Sequence, residues 1–173
     1  MKELILGGVR SGKSRLAEQH AQDSGLQVVY IATAEVRDEE MRQRVAQHQA
    51  RRPDDWKLIE ARGNLAEILQ RESGEGRCLL VDCLTLWLTQ LLCDSDATKL
   101  RRECDTLLQA LPQFPGHIIF VSVESNLGVM PMDALTRRYC DEIGLLHQAL
   151  ARQCDKVILT VAGLPHYLKG NKT

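Results

Sequence analysis

Gly7-Gly8-Val9-Arg10-Ser11-Gly12-Lys13-Ser14 decides how the rest of this chain is read. The octapeptide fits the phosphate-binding pattern of a glycine, four variable residues and then Gly-Lys-Ser/Thr. Glycines let the backbone turn tightly and bring several N–H groups around phosphate oxygens. Lys13 can reach the β- and γ-phosphates, and the Ser14 hydroxyl is placed to ligate Mg²⁺. A helix following the loop adds the positive end of its dipole. The flanks supply the setting this requires. Glu3-Leu4-Ile5-Leu6 suits a buried strand, and Ser14 to Ala21 is rich in helix formers. The chain is therefore expected to bind a nucleoside triphosphate.

The same strand–helix alternation continues outward. Apolar, β-rich runs occur at Leu4–Leu6, Val28–Ala32, Lys57–Glu60, Cys78–Val81, His117–Val123 and Lys156–Val161. Between them, Leu100, Cys104, Leu107, Leu108 and Leu111 follow helical spacing, as do Leu135, Tyr139, Ile143, Leu146 and Leu150. Asn64 with Glu67 resembles a capping box. Continuous apolar strands alternating with helices predict an α/β fold that is P-loop NTPase-like, with a mainly parallel sheet and helices on both faces. Ligands then bind at the carboxyl ends of the strands. The 173 residues are read as one nucleotide-binding domain.

Composition narrows the function. A formal net charge of −1 gives no general pull toward nucleic acid or acidic membrane. The six cysteines form no C-x-x-C pair and read as small buried apolar residues in a reducing cytosol. No signal peptide or membrane span is visible, so a cytoplasmic location is expected. No D-x-x-G follows the strands, and Asn171-Lys172-Thr173 lacks the Asp of switch-type guanine recognition.

Leu79-Leu80-Val81-Asp82 is an apolar strand ending in an acid, which suits a second Mg²⁺-supporting carboxylate. The alternative is a strand-end Asp capping the next helix. The segment Asp38 to Arg52 has acids at its start and Arg51 and Arg52 at its end, with Pro53 as a stop. Met41, Val45 and His48 share one stripe. His48 is either a packed, half-buried histidine or a nucleophile or general base beside the nucleotide, and spacing leaves both open.

Several segments recur together, in this order, in one family. These are Gly7 to Ser14, Tyr30-Ile31-Ala32-Thr33-Ala34, His48-Gln49-Ala50-Arg51-Arg52-Pro53 with Trp56, Leu80-Val81-Asp82-Cys83-Leu84-Thr85, and Val161-Ala162-Gly163-Leu164-Pro165. Over nearly its whole length the chain resembles the bifunctional adenosylcobinamide kinase/adenosylcobinamide-phosphate guanylyltransferase family of cobalamin biosynthesis. The resemblance implies phosphorylation of adenosylcobinamide by ATP or GTP, then transfer of GMP from GTP through a guanylyl-histidine at His48, giving adenosylcobinamide-GDP and pyrophosphate. It implies nucleotide contacts from Gly7, Gly8, Val9, Arg10, Ser11, Gly12, Lys13, Ser14, Thr33, Ala34, Gln49, Ala50, Arg51, Arg52, Glu60 and Asp82. Lys13 joins His48 as catalytic, Ser14 and Asp82 hold Mg²⁺, and Glu60 is an acceptor for guanine N–H groups. It also implies a homotrimer.

The chain departs from the family pattern in places. Where members often carry Asn-Glu-Val-Gly-x-Gly-Ile-Val-Pro, it has Val123-Glu124-Ser125-Asn126-Leu127-Gly128-Val129-Met130-Pro131. The downstream Leu-Asn-Gln becomes Leu146-His147-Gln148, and Gln49, Ala50 and Arg51 replace Lys-Asp-Gly. Two rival readings follow: a small-molecule kinase with one activity, and a non-catalytic NTP-binding regulator.

Overall fold

A computed structural model describes residues 1–34, 39, 42, 43, 46 and 52–171. One seven-stranded sheet organises them. Its strands are β1 (Lys2–Gly7), β2 (Gln27–Ala32), β3 (Lys57–Glu60), β4 (Arg77–Asp82), β5 (His117–Val123), β6 (Lys156–Val161) and β7 (Leu164–Lys169), in the order β3-β2-β4-β5-β1-β6-β7. All neighbours pair in parallel except β6 and β7, which form an antiparallel hairpin.

Side chains alternating along the central strands feed two cores. Ile5, Tyr30, Leu80 and Val121 face α1 (Lys13–Asp23), where Ala17 and Ala21 are fully buried and let the helix approach closely. Leu4, Leu6, Ile31, Val81 and Phe120 face the other way. That side is covered by α2 (Leu65–Glu72), α3 (Leu84–Leu92), α4 (Lys99–Ala110) and α5 (Ala134–Gln153). The fully buried Trp87 of α3 also donates its indole N–H to the Gly63 carbonyl at 3.0 Å. Among the described residues no helix is long and apolar enough to cross a membrane.

Four local expectations need correction. β7 was not foreseen: it is an edge strand with mostly exposed side chains, and Pro165 is tolerated because it sits at that edge. Leu135 opens α5 but is 55% exposed, so the buried stripe begins only at Tyr139. Asn64 stands at the N-cap of α2 without bonding its backbone; its amide instead donates to the Glu67 carboxylate at 3.3 Å. Cys93 is exposed and Cys104 half-buried, while Cys78, Cys83, Cys140 and Cys154 are buried as expected. Burial raises the Cys78 and Cys154 thiols to about 12, which keeps them protonated.

Candidate functional site

β1 delivers the chain to Gly7, and α1 begins at Lys13, so the octapeptide forms a loop between a buried strand and a helix N-terminus. Arg10 has φ 56° and Gly12 φ 96°, two left-handed residues that reverse the chain. The Ser11 N–H closes the turn on the Gly8 carbonyl at 3.2 Å. No side chain caps α1 and no acid lies in its first turn, which leaves the helix N-terminus suited to an anion. Gly8, Val9 and Arg10 are exposed. The Lys13 ammonium donates to the Gly8 carbonyl at 3.1 Å, which holds its charge against the loop.

The loop is braced from two sides. The Glu124 N–H donates to the Gly7 carbonyl at 3.0 Å, and the Gly163 N–H donates to the Ser11 carbonyl at 2.8 Å. Gly163 and Ala162 form the β6–β7 turn, with φ 81° and 52°. Positive φ at both central residues is the geometry of tight hairpin turns. The brace is close: a Cβ on Gly12 would stand 3.1 Å from the Gly163 Cα.

The second corner lies at the end of β4, one strand beyond β5 from the loop. The Asp82 carboxylate accepts from the Tyr30 hydroxyl at 3.1 Å. The guanidinium of Arg52 stacks over the Tyr30 ring, 3.9 Å from its centre. Burial first, and the Asp82 charge next, push the Tyr30 phenol upward, so it remains a donor. The helix N-cap after β4 is Cys83, and no side chain bonds it, so Asp82 is not spent as a cap. Burial, then Asp82, also raises the Cys83 thiol to about 11; the Lys13 charge acts there in the opposite sense. The loop lysine and the Asp82 corner therefore share one electrostatic neighbourhood.

Thr33, expected at the nucleotide, is fully buried. Its hydroxyl donates to the Cys83 carbonyl at 2.6 Å and accepts from the Cys83 N–H at 2.8 Å. Its backbone N–H donates to the Asp82 carbonyl, and its carbonyl accepts from Gln90. Every polar group of Thr33 thus fixes the β4–α3 corner, with none turned to solvent. Ala34 and Glu60 line a cleft of about 530 Å³ together with Arg62, Gln90, Asp94 and Lys99. Glu60 is exposed there, 3.5 Å from the Arg62 guanidinium. His48, Gln49, Ala50 and Arg51 lie outside the described residues.

Sequence reasoning missed the parts played by Tyr30 and by the 162–163 turn. Tyr30 carried a signal: a phenol inside an otherwise aliphatic strand needs a polar partner when buried.

Comparison with known proteins agrees with this geometry. The model of the family described as cobinamide kinase/cobinamide phosphate guanyltransferase matches residues 3–168. The bifunctional adenosylcobalamin biosynthesis protein CobP of Pseudomonas aeruginosa is 57% identical over 170 residues, covering 98% of both chains. The bifunctional adenosylcobalamin biosynthesis protein CobU of Escherichia coli is 33% identical over 177 residues, covering 95% of this chain and 97% of that protein. Among solved structures, the type III secretion ATPase EscN of enteropathogenic E. coli superposes with a TM-score of 0.59 at 14% identity. That match spans 92% of this chain and 41% of EscN, and at such low identity it speaks for the P-loop NTPase fold alone.

Proposed function

The chain belongs to the cobinamide kinase/cobinamide phosphate guanyltransferase family, and from that premise we propose that one nucleotide site carries out two successive transfers. In the first, the hydroxyl oxygen of adenosylcobinamide attacks the γ-phosphorus of ATP or GTP and the nucleoside diphosphate leaves. In the second, an imidazole nitrogen of His48 attacks the α-phosphorus of GTP and pyrophosphate leaves. The phosphate made in the first step then displaces His48, giving adenosylcobinamide-GDP. The carrying observation is the phosphate loop: an uncapped helix N-terminus with Lys13 folded against it, separated from the Asp82 corner by β5 alone.

Lys13 and the loop N–H groups would hold the β- and γ-phosphates, so catalysis of the first step is mainly positioning and charge stabilisation. Ser14 and Asp82 offer a hydroxyl and a carboxylate, hard oxygen donors of the kind Mg²⁺ takes. Bound there, the ion would supply positive charge that offsets the charge of the phosphates. Arg52, held over Tyr30, would add positive charge beside the nucleotide, and Glu60 would accept from guanine. The reading extends to a cytoplasmic homotrimer. The exposed apolar residues Val129, Met130 and Met132 support a surface between copies, and the mass from light scattering tests it.

Incubation with α-labelled GTP tests the covalent step. Acid-labile, base-stable label is expected on the wild type and absent from His48→Ala. An unlabelled wild type removes the guanylyl half and leaves a kinase. Tight GTP binding with no turnover of adenosylcobinamide would identify a regulator instead.

A further inference from the structure

We propose that Glu124 is the carboxylate that orients the acceptor hydroxyl in the first transfer and receives its proton, and that His147 is the residue that positions it. The inference rests on the two-step reading above.

Topology singles out Glu124. Val123 pairs with Gly7 across β5 and β1, and the next residue, Glu124, donates its N–H to the Gly7 carbonyl. Its backbone is therefore locked to the first residue of the phosphate loop. Other carboxylates at this edge of the sheet are differently engaged. Asp82 accepts from Tyr30, and Glu60 lies on β3, four strands from β1, beside Arg62. The Glu124 side chain is mostly covered, at 16% exposure. One of its oxygens accepts from the Asn126 N–H at 2.8 Å; the other faces Nδ1 of His147 at 3.6 Å.

A buried relay explains why His147 points that way. The Val123 N–H donates to Thr85 Oγ1 at 2.8 Å, and Thr85 Oγ1 lies 3.4 Å from Ser122 Oγ, where either hydroxyl can donate. Ser122 Oγ shares a 2.8 Å hydrogen bond with His147 Nε2. The Glu124 oxygen 3.6 Å from Nδ1 favours the neutral tautomer with its hydrogen on Nδ1, toward the carboxylate, and Nε2 then accepts from Ser122. The opposite arrangement would set the Nδ1 lone pair against the Glu124 oxygen. That Nδ1 is buried and has no hydrogen-bond partner, so its donor is directed at Glu124 from just beyond bonding distance. Burial lowers the His147 imidazole below its ordinary value, which keeps it neutral.

The chemistry requires such a group in one step only. In the first transfer an alcohol becomes a phosphate ester: the O–P bond forms, the bridging O–P bond breaks, and the alcohol proton must leave, here to Glu124. In the second the acceptor is already a phosphate anion and carries no proton to be removed.

The two transfers are therefore assayed separately, with adenosylcobinamide and γ-labelled GTP, then with adenosylcobinamide phosphate and α-labelled GTP. Glu124→Gln keeps an acceptor for the Asn126 N–H and is expected to slow the first transfer about 100- to 1,000-fold in kcat. The second should remain within about threefold. His147→Leu should slow the first step about 10-fold or more with little change in nucleotide KM, and His147→Asn, whose amide restores a donor, should recover most of it. A Glu124→Gln enzyme within threefold of wild type in the first transfer overturns the proposal. Parallel loss of both transfers in His147→Leu leaves His147 a core residue only. If the wild type itself fails to phosphorylate adenosylcobinamide, the two-step reading fails, which is a separate outcome.

Discussion

A methyl group on Gly7 would stand 2.4 Å from the Ser11 hydroxyl oxygen and 2.6 Å from the Thr160 carbonyl oxygen. The first contact can relax, because the Ser11 hydroxyl is buried without a hydrogen bond to hold it. The second cannot: Thr160 is the β6 partner of Gly7 itself, so the two backbones would have to separate where the loop begins. Gly7→Ala is accordingly expected to cost about 1–3 kcal/mol in stability. By re-aiming the loop N–H groups it should also weaken GTP binding about 10-fold or more, measured by titration calorimetry. Gly8→Ala is the matched control, since nothing lies within 4 Å of a Cβ there and its φ is not positive. Equal GTP affinity in the two variants would show that the β1–β6 spacing does not set the loop.

Among the elements, the β6–β7 hairpin joins the site most unexpectedly, through the Gly163 N–H on Ser11. At Gly163 a Cβ would meet nothing within 4 Å, so Gly163→Ala isolates the strain of a left-handed residue, about 1–2 kcal/mol. Ala162 already bears such strain at φ 52°, and Ala162→Gly should relieve about 1 kcal/mol. Urea midpoints read both, and opposite signs are expected; a shared sign would place the effect outside the turn. This hairpin also marks where sequence stops being legible. Five strands announce themselves as apolar runs because a parallel sheet buries both faces; β3, read as Lys57–Glu60, lies at the opposite edge and is mostly exposed. β7 lies at the edge, exposed and carrying Pro165, so neither periodicity nor composition reveals it. The strand–loop–helix around Gly7 to Ser14 is readable because its glycines and flanks are local. The Thr33 pin on Cys83 and the Tyr30 contact with Asp82 are not, because 50 and 52 residues separate the partners. The exposure of Leu135 escapes helical spacing for a related reason: spacing defines a face, not whether a neighbour covers its first turn.

Across the whole molecule the two ends of the sheet do different work. The carboxyl ends carry the phosphate loop, Asp82 and Glu124, and the amino ends of β1, β5 and β6 are tied by a buried polar cluster. Glu3, 1% exposed, accepts from His20 of α1 at 2.7 Å and His117 of β5 at 3.1 Å, with the Lys156 ammonium 3.9 Å away. Burial alone would raise its carboxyl; the hydrogen bonds from His117 and His20 and their charges outweigh this and hold it at about 2, against an ordinary 4.5. A carboxylate whose folded pKa is depressed stabilises the fold above its unfolded value and loses that contribution as pH falls through its folded value. The window is therefore pH 4.5 down to about 2. Once Glu3 is ionised in both states, above about pH 4.5, that contribution is on the order of 3 kcal/mol. Glu3→Gln keeps the shape and removes the charge, so its stability deficit should be largest just above pH 4.5 and shrink to less than half by about pH 3. Chemical denaturation of both proteins across that range measures the difference directly. A deficit that stays constant with pH would mean that Glu3 acts through shape and hydrogen bonding, and that its charge does not hold β1, β5 and α1 together.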